Sequence, residues 1–435
     1  MSISLAFLFW FMSPLSLQLG DKLIALVLVI AGFFLPRPML FIYIFFSIFK
    51  SHFIYSGVTT DPVIYILFPI FFRTIFDILS DKKIKKHISR KEILWFVLFF
   101  LIIVINIYRV TSYSWNAYSF QKIITFLIMD FSILFIICLS INNFKIFDKY
   151  LRSLLIVLIT IPFFNLLSIT FGGTEYPWYF VAKGIPVLAI SFYLGILAIF
   201  SLSMWQTKTN KRMSIILFVL SLVLILTTNE RSPLISLLFT IFIIFCYDLF
   251  VKKRTLKFHF YRKHLGIITL LSIAVILTLS FFPPVTYSRY FKYSDQSIYK
   301  RISLAKTGLS IFMHSPIIGS GPNSVGIVIS GNDSDISPHN VFIEILSDFG
   351  ILGLVPFVAI IIIVLRKSWT CYNTNRSNWR TIFLFYATIY TLVQMCLSSQ
   401  LNGHRWYWCL FGLVFVEYSL LTKQKHPSLK QDNII

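Results

Sequence analysis

The stretch Ile93–Ile107, ILWFVLFFLIIVINI, carries one polar residue in an otherwise apolar run. A barrel strand would alternate apolar and polar positions over about ten residues, and this run does not alternate. Runs of the same kind recur along the whole chain, which is 57% hydrophobic, 13% charged and has a mean hydropathy of +0.80. That composition lies outside the range of soluble domains and defines an integral membrane protein. Helices satisfy their own backbone in lipid, so the expected class is an all-α polytopic membrane protein.

The formal charge of +22 raises nucleic acid as a partner. The basic residues, however, sit in short connections between apolar runs instead of forming one basic and aromatic face, and nucleic acid is excluded. The clusters 81–92, 208–212, 252–264, 366–380 and 423–430 mark one side of the membrane, which the positive-inside tendency makes cytoplasmic. Cys138, Cys246, Cys396 and Cys409 fall in apolar spans and Cys371 in a basic connection, so no disulfide framework is implied. The apolar N-terminus has no basic leader and no clear cleavage site, and is expected to be a retained first span.

Candidate spans lie near 4–19, 22–36, 38–50, 62–78, 93–108, 120–140, 151–171, 184–205, 213–229, 232–250, 265–282, 350–366, 381–400 and 405–421. They amount to about 12–14 transmembrane helices, the count depending on how the short N-terminal runs merge. Alternating along this list puts every basic cluster and both termini on one face. The expected organisation is a bundle over 1–282, an outer loop over 283–349, C-terminal spans over 350–421 and a cytoplasmic tail over 422–435.

A connection as long as 283–349 usually carries function. In SIYKRISLAKTGLSIFMHSP, the residues Ile298, Ile302, Ala305, Leu309 and Phe312 follow the stripe of an amphipathic helix, with Arg301 on the same stripe. In SPHNVFIEILSDFG (337–350), Ser337 is the expected N-cap and Pro338 the first helical residue, which puts His339 at the second position. Phe342, Leu346 and Phe349 define the apolar face with His339, while Asn340, Glu344, Ser347 and Asp348 face away, and Gly350 ends or bends the helix.

Cations are disfavoured on the outer face, so Arg231, Arg289, Lys292, Lys300, Arg301 and Lys306 there call for an anionic partner. Arg231 has two plainer readings, pairing with Glu230 or reaching headgroups. His339 could equally be a satisfied core residue. Asp333 and Asp335 in NDSD have metal-ligand spacing, but a solvated turn explains them. GSGPNS (319–324) lacks the lysine of a phosphate loop and reads as a turn shaping a pocket. Arg73 and Asp77 can satisfy one another, Asp130 has no partner visible in sequence, and NGHRWYW (402–408) suits an interfacial aromatic belt, with a glycan-stacking surface as the alternative.

TTNERSPLI at a span boundary, KRISLAKTGLSIFMHSPIIGSGPNS in the large loop and SPHNVFIEILSDFGILGL leading back into the membrane together resemble the O-antigen ligase and polymerase family of bacterial membrane glycosyltransferases. The resemblance covers residues 225–370 in detail. It implies a fold similar to that of transferases using lipid-linked donors (GT-C type), and transfer of a glycan from undecaprenyl pyrophosphate to a sugar hydroxyl, with inversion and without metal or cofactor. By position in the motifs, Arg231 and Arg301 would hold the pyrophosphate and His339 would be catalytic, supported by Lys300, Gly319, Gly321, Asn340 and Glu344. The implied setting is the bacterial inner membrane with the site on the periplasmic face. Its partners would be the lipid-linked glycan, the bilayer and a chain-length regulator.

Within this family the expected activity is polymerisation of polysaccharide repeat units, with ligation to lipid A-core as the alternative. A flippase of lipid-linked oligosaccharides is the reading from another class. A flippase would line a midplane cavity with charged or broken helices, often in repeated halves. Here the polar candidates gather at one loop and no repeat is visible, which favours chemistry at one surface.

Overall fold

In a computed structural model, the structure describes residues 30–32, 34–45, 67, 69–74, 76, 87–110, 117–171, 187–228, 230–250, 294–401 and 405–425. The expected spans 4–19 and 265–282, the Arg73–Asp77 pair, the N-terminal leader question, and Arg289, Lys292 and His404 lie outside them wholly or in one partner. The helices, in chain order, are α1 Pro36–Phe45, α2 Arg90–Ile105, α3 Tyr118–Ser140, α4 Phe144–Phe171, α5 Val187–Gln206, α6 Lys211–Thr228 and α7 Arg231–Phe250. They continue with α8 Ser294–His314, α9 Ser324–Ser330, α10 Val341–Thr374, α11 Trp379–Leu397 and α12 Arg405–Lys425. No strand occurs among the described residues, and α2 (extended to Arg109), α3, α10 and α11 are long and apolar enough to cross a bilayer.

The stretch Ile93–Ile107 shows why the class is a membrane bundle. Ser89 caps α2, accepting from the Glu92 amide while the Glu92 carboxylate accepts from the Ser89 amide. Phe96, Phe99 and Ile103 are buried, whereas Leu94, Val97, Leu101 and Ile105 on the same helix are exposed. A water-soluble fold would leave a polar face there, so this surface belongs to lipid.

Aromatic packing joins α2, α3, α10 and α12. The Phe99 ring lies 5.3 Å from Phe357 and 6.3 Å from Trp408, and Trp408 lies 5.1 Å from Phe131. Trp406, Tyr407 and Trp408 are thus core residues at 2% exposure or less. This corrects both readings of NGHRWYW: the rings are too deeply buried to form an interfacial belt or to stack on a glycan.

Asp130, solitary in sequence, ends a π-helical segment of α3 and faces Arg405 at 3.7 Å. Arg405 also donates to the Tyr43 carbonyl at 3.1 Å and lies over the Tyr43 ring. The partner sits 275 residues away in sequence and the pairing ties α1, α3 and α12 together, the kind of buried match an isolated intramembrane charge requires.

Ion pairs and loop contacts fix which helix ends lie together. Near the end of α7, Tyr247 donates to Asn373 at 3.0 Å, and Arg380 pairs with Asp148 at 2.6 Å and faces Glu417 at 3.7 Å. Lys367 pairs with Glu92 at 2.8 Å. All of these sit at one end of the bundle. At the other end lie Arg109, Tyr118, Arg231, Val341, Leu397 and Arg405, together with the α8–α9 loop.

Candidate functional site

The segment 316–321 is inserted into a break in α10. Gly350 has φ 65° and ψ −160°, a conformation open essentially only to glycine, so the helix bends there. A bend of this kind orphans ladder groups on both sides. Loop amides take the carbonyls, Ser320 donating to Ser347 at 2.8 Å and Gly321 to Asp348 at 3.0 Å. Loop carbonyls take the amides, Ile351 donating to Pro316 at 2.9 Å and Leu352 to Ile317 at 3.1 Å. The loop backbone replaces the missing helix ladder, which keeps the bent segment satisfied. A side chain at Gly319 would meet the Asp348 backbone at 2.4 Å, and one at Gly350 would meet the Ile317 carbonyl oxygen at the same distance. Arg109 holds the loop from outside, donating to Ile318 at 3.0 Å and Gly319 at 2.9 Å.

Behind this junction lies a buried charge cluster. The Lys122 ammonium sits 2.6 Å from the Glu344 carboxylate and 2.7 Å from that of Asp348. Asp348 also accepts from the amides of Asn323 and Ser324 at 3.1 Å, and Glu344 from the amide of Leu401 at 2.8 Å. Three segments far apart in sequence are pinned to one face of α10. This overturns the expectation that Glu344, Ser347 and Asp348 face away: all three are buried. Glu344 is buried and ties Lys122 of α3 and the Leu401 amide to α10. Two acids one helical turn apart repel, and that repulsion was the available signal that a cation lies between them. Lys122, within an apolar run, was the candidate.

Helix α10 begins later than expected. Its N-cap is Asn340, whose side chain accepts from the amides of Phe342 and Ile343 at 3.0 and 3.1 Å. His339 precedes the helix in a left-handed conformation, φ 53°, with its amide turned to Ser337 Oγ. The expected Ser337 cap, Pro338 start and helical His339 are corrected: Ser337 closes a local turn on His339, and Asn340 supplies the cap.

This turn carries His339 and Asn340 to the end of α11. The Ser399 amide donates to the His339 carbonyl at 3.2 Å, and the Asn340 side chain donates to Cys396 at 2.8 Å. Arg301 Nη1 donates to the next carbonyl, Leu397, at 3.1 Å. These are last-turn carbonyls, which have no partner within their own helix and attract a cation. Arg301 and His339, 38 positions apart, are thus held by one helix terminus.

The His339 ring is half-buried, and among the described residues no hydrogen bond engages it. Burial is the main reason its pKa falls below the ordinary histidine range, with the positive charge of Arg301 adding to it. Lys300 pushes the same way and Asp335 opposes them. The imidazole is kept neutral by desolvation and neighbouring cations, which replaces the helix-dipole explanation, since His339 lies outside the helix.

The remaining candidates are placed as follows. Arg231 is the first residue of α7, half-buried at the same end of the bundle. Lys300 is exposed, and Gly319 and Gly321 belong to the inserted loop. Asp333 is committed to structure: its carboxylate accepts from the Ser119 hydroxyl and the Asn323 side chain, both at 2.7 Å. Arg301 is half-buried, but its expected stripe is not buried with it. The buried face of α8 is Leu304, Gly308 and Ile311, while Ile298, Ile302 and Leu309 are exposed.

Fold and site together define a polytopic, all-helical membrane protein in which one end of the bundle gathers arginines and a neutral histidine beneath a structured loop. Residues 216–358 match a family model described as O-antigen ligase, which supports the O-antigen ligase and polymerase family for this chain. Arg231, Arg301 and His339 all lie within the matched segment. No curated protein matches the chain.

Proposed function

We propose that the protein is a polysaccharide repeat-unit polymerase, transferring a growing glycan from undecaprenyl pyrophosphate to a sugar hydroxyl of another lipid-linked unit with inversion. The observation that carries this reading is that Arg301 and His339, both within a segment that matches a family of glycosyltransferase-like enzymes, are held at the C-terminal end of α11, Arg301 by Leu397 and His339 by Ser399 just beyond it. One Nη1 bond occupies only part of the Arg301 fork, leaving donors for an anion. As the anomeric bond breaks, negative charge grows on the pyrophosphate. Guanidinium donors at Arg301 and Arg231 stabilise it, a contribution of about 2.7–4 kcal/mol for each such group in comparable sites. The pyrophosphate departs without a proton. The acceptor hydroxyl must lose one, and the neutral, unengaged His339 ring takes it.

Polymerase is favoured over ligase because the connections outside 283–349 are short and offer no separate place for a lipid core. The test is a gel of surface lipopolysaccharide and of the carrier-linked pool from the native host lacking the gene, complemented with wild type or with His339→Ala. Expected without the gene are cores capped with a single repeat, rescued by wild type and not by an inserted His339→Ala protein. Bare cores with long chains on the carrier would identify the ligase. Repeats stranded on the inner leaflet would replace the enzyme reading with a flippase.

A further inference from the structure

The exposed stripe of α8 is the least expected surface of the molecule. At 100° per residue, Ile298, Ile302, Leu309 and Met313 fall within about 60° of arc. All four are exposed, Met313 at 73%. Ile317, 64% exposed, and Ile318 continue the row past the end of the helix. Six large apolar side chains in one strip are more than a soluble surface normally leaves open.

What covers them follows from the inserted loop. The hydrogen bonds from Ile351 and Leu352 to Pro316 and Ile317 place this row against the point where α10 enters its apolar length. There Ile351, Leu352 and Val355 are also exposed, on a helix long and apolar enough to span a bilayer. The apolar surface of α8 is therefore continuous with the lipid-facing surface of α10. The rest of α8 is arranged to match. Arg301, Leu304, Gly308 and Ile311 turn toward the protein, Ser303 and Lys300 toward water, and the exposed Lys306 borders the apolar stripe, where an ammonium reaches headgroups.

We propose that α8 is an interfacial helix, its Ile298–Ile302–Leu309–Met313 stripe inserted among the lipid chains of the adjoining leaflet. The helix then fixes Arg301 at headgroup depth. A phosphate on a membrane-embedded lipid reaches it by moving sideways within the leaflet, without leaving the bilayer. The insertion itself does not depend on the transferase reading, and its test uses no activity.

The full-length chain, with its five cysteines replaced, is reconstituted into phosphatidylcholine–phosphatidylglycerol vesicles. A bimane label is attached at Leu309→Cys, Met313→Cys or, as the water-facing reference, Ser303→Cys. Lipids brominated on their acyl chains are expected to quench the Leu309 and Met313 sites by about twofold, with the Ser303 site quenched instead by aqueous iodide. Iodide quenching Met313 as strongly as Ser303 would put the stripe in water and overturn the proposal. Protection of Leu309 and Met313 from both quenchers would overturn it as well, by showing that protein, such as a second copy, covers the stripe.

Discussion

His339 shows how one backbone angle positions a reacting group. A left-handed residue outside the helix turns its carbonyl to Ser399 and leaves its ring free of hydrogen bonds among the described residues. Because burial and Arg301 lower its pKa, the ring stays neutral to lower pH than an ordinary histidine. A base is lost as pH falls through its pKa, so the acid limb of kcat/KM is expected below about pH 6.5. Asp335 favours the imidazolium and Lys300 opposes it. Asp335→Asn should therefore move the limb to lower pH and Lys300→Gln to higher pH. Transfer assays over about pH 5–8 check this, and shifts in the same direction would remove His339 as the titrating base. The sequence made His339 conspicuous but misplaced it. Ser337–Pro338 and Asn340 are both good helix starts, and the choice between them rests on contacts with Cys396 and Ser399, which local sequence does not encode.

At the scale of elements, the inserted loop and the bent helix depend on each other, and glycine makes their approach possible. Gly350→Ala would strain a conformation reserved for glycine and push a methyl group into the Ile317 carbonyl. The expected loss is about 2 kcal/mol or more. Gly331 also has positive φ, 71°, but a side chain there meets nothing within 4 Å, so Gly331→Ala should cost only about 1 kcal/mol. Thermal unfolding of the purified variants in one detergent separates the two, and equal losses would show that the insertion adds nothing beyond backbone strain. The break at Gly350 was legible because a glycine stands where a polar helix meets an apolar run. The loop that fills it was not, since backbone pairing between 316–321 and 347–352 leaves no mark in side-chain pattern. Periodicity also misjudged α8 and α10 for a shared reason: it assumes that apolar faces are buried and polar faces wet. In a membrane, lipid accepts the apolar face of α8, and the interior accepts the acids of α10 where Lys122 and backbone amides pair with them.

Across the whole molecule, the all-helical membrane class was legible because a bilayer imposes helices on long apolar runs. The structure adds a division of labour between the two ends. At one, Arg301, His339 and the α8–α9 loop sit on the helix termini. At the other, Lys367–Glu92 and Arg380–Asp148 lock neighbouring helices by their charges. The segment 366–380 at that end holds Arg366, Lys367, Arg376 and Arg380 with no acidic residue, the bias that retains a connection in the cytoplasm. On that bias the His339 end is expected to face outward, where a carrier-linked glycan would be presented. In a cysteine-free chain, Asn332→Cys, in the exposed turn after α9, should react in intact spheroplasts with a membrane-impermeant maleimide. Ser377→Cys, in the connection between α10 and α11, should react only after permeabilisation. The reverse pattern would put His339 on the cytoplasmic side and separate it from an outward-facing donor, removing the polymerase and ligase readings together.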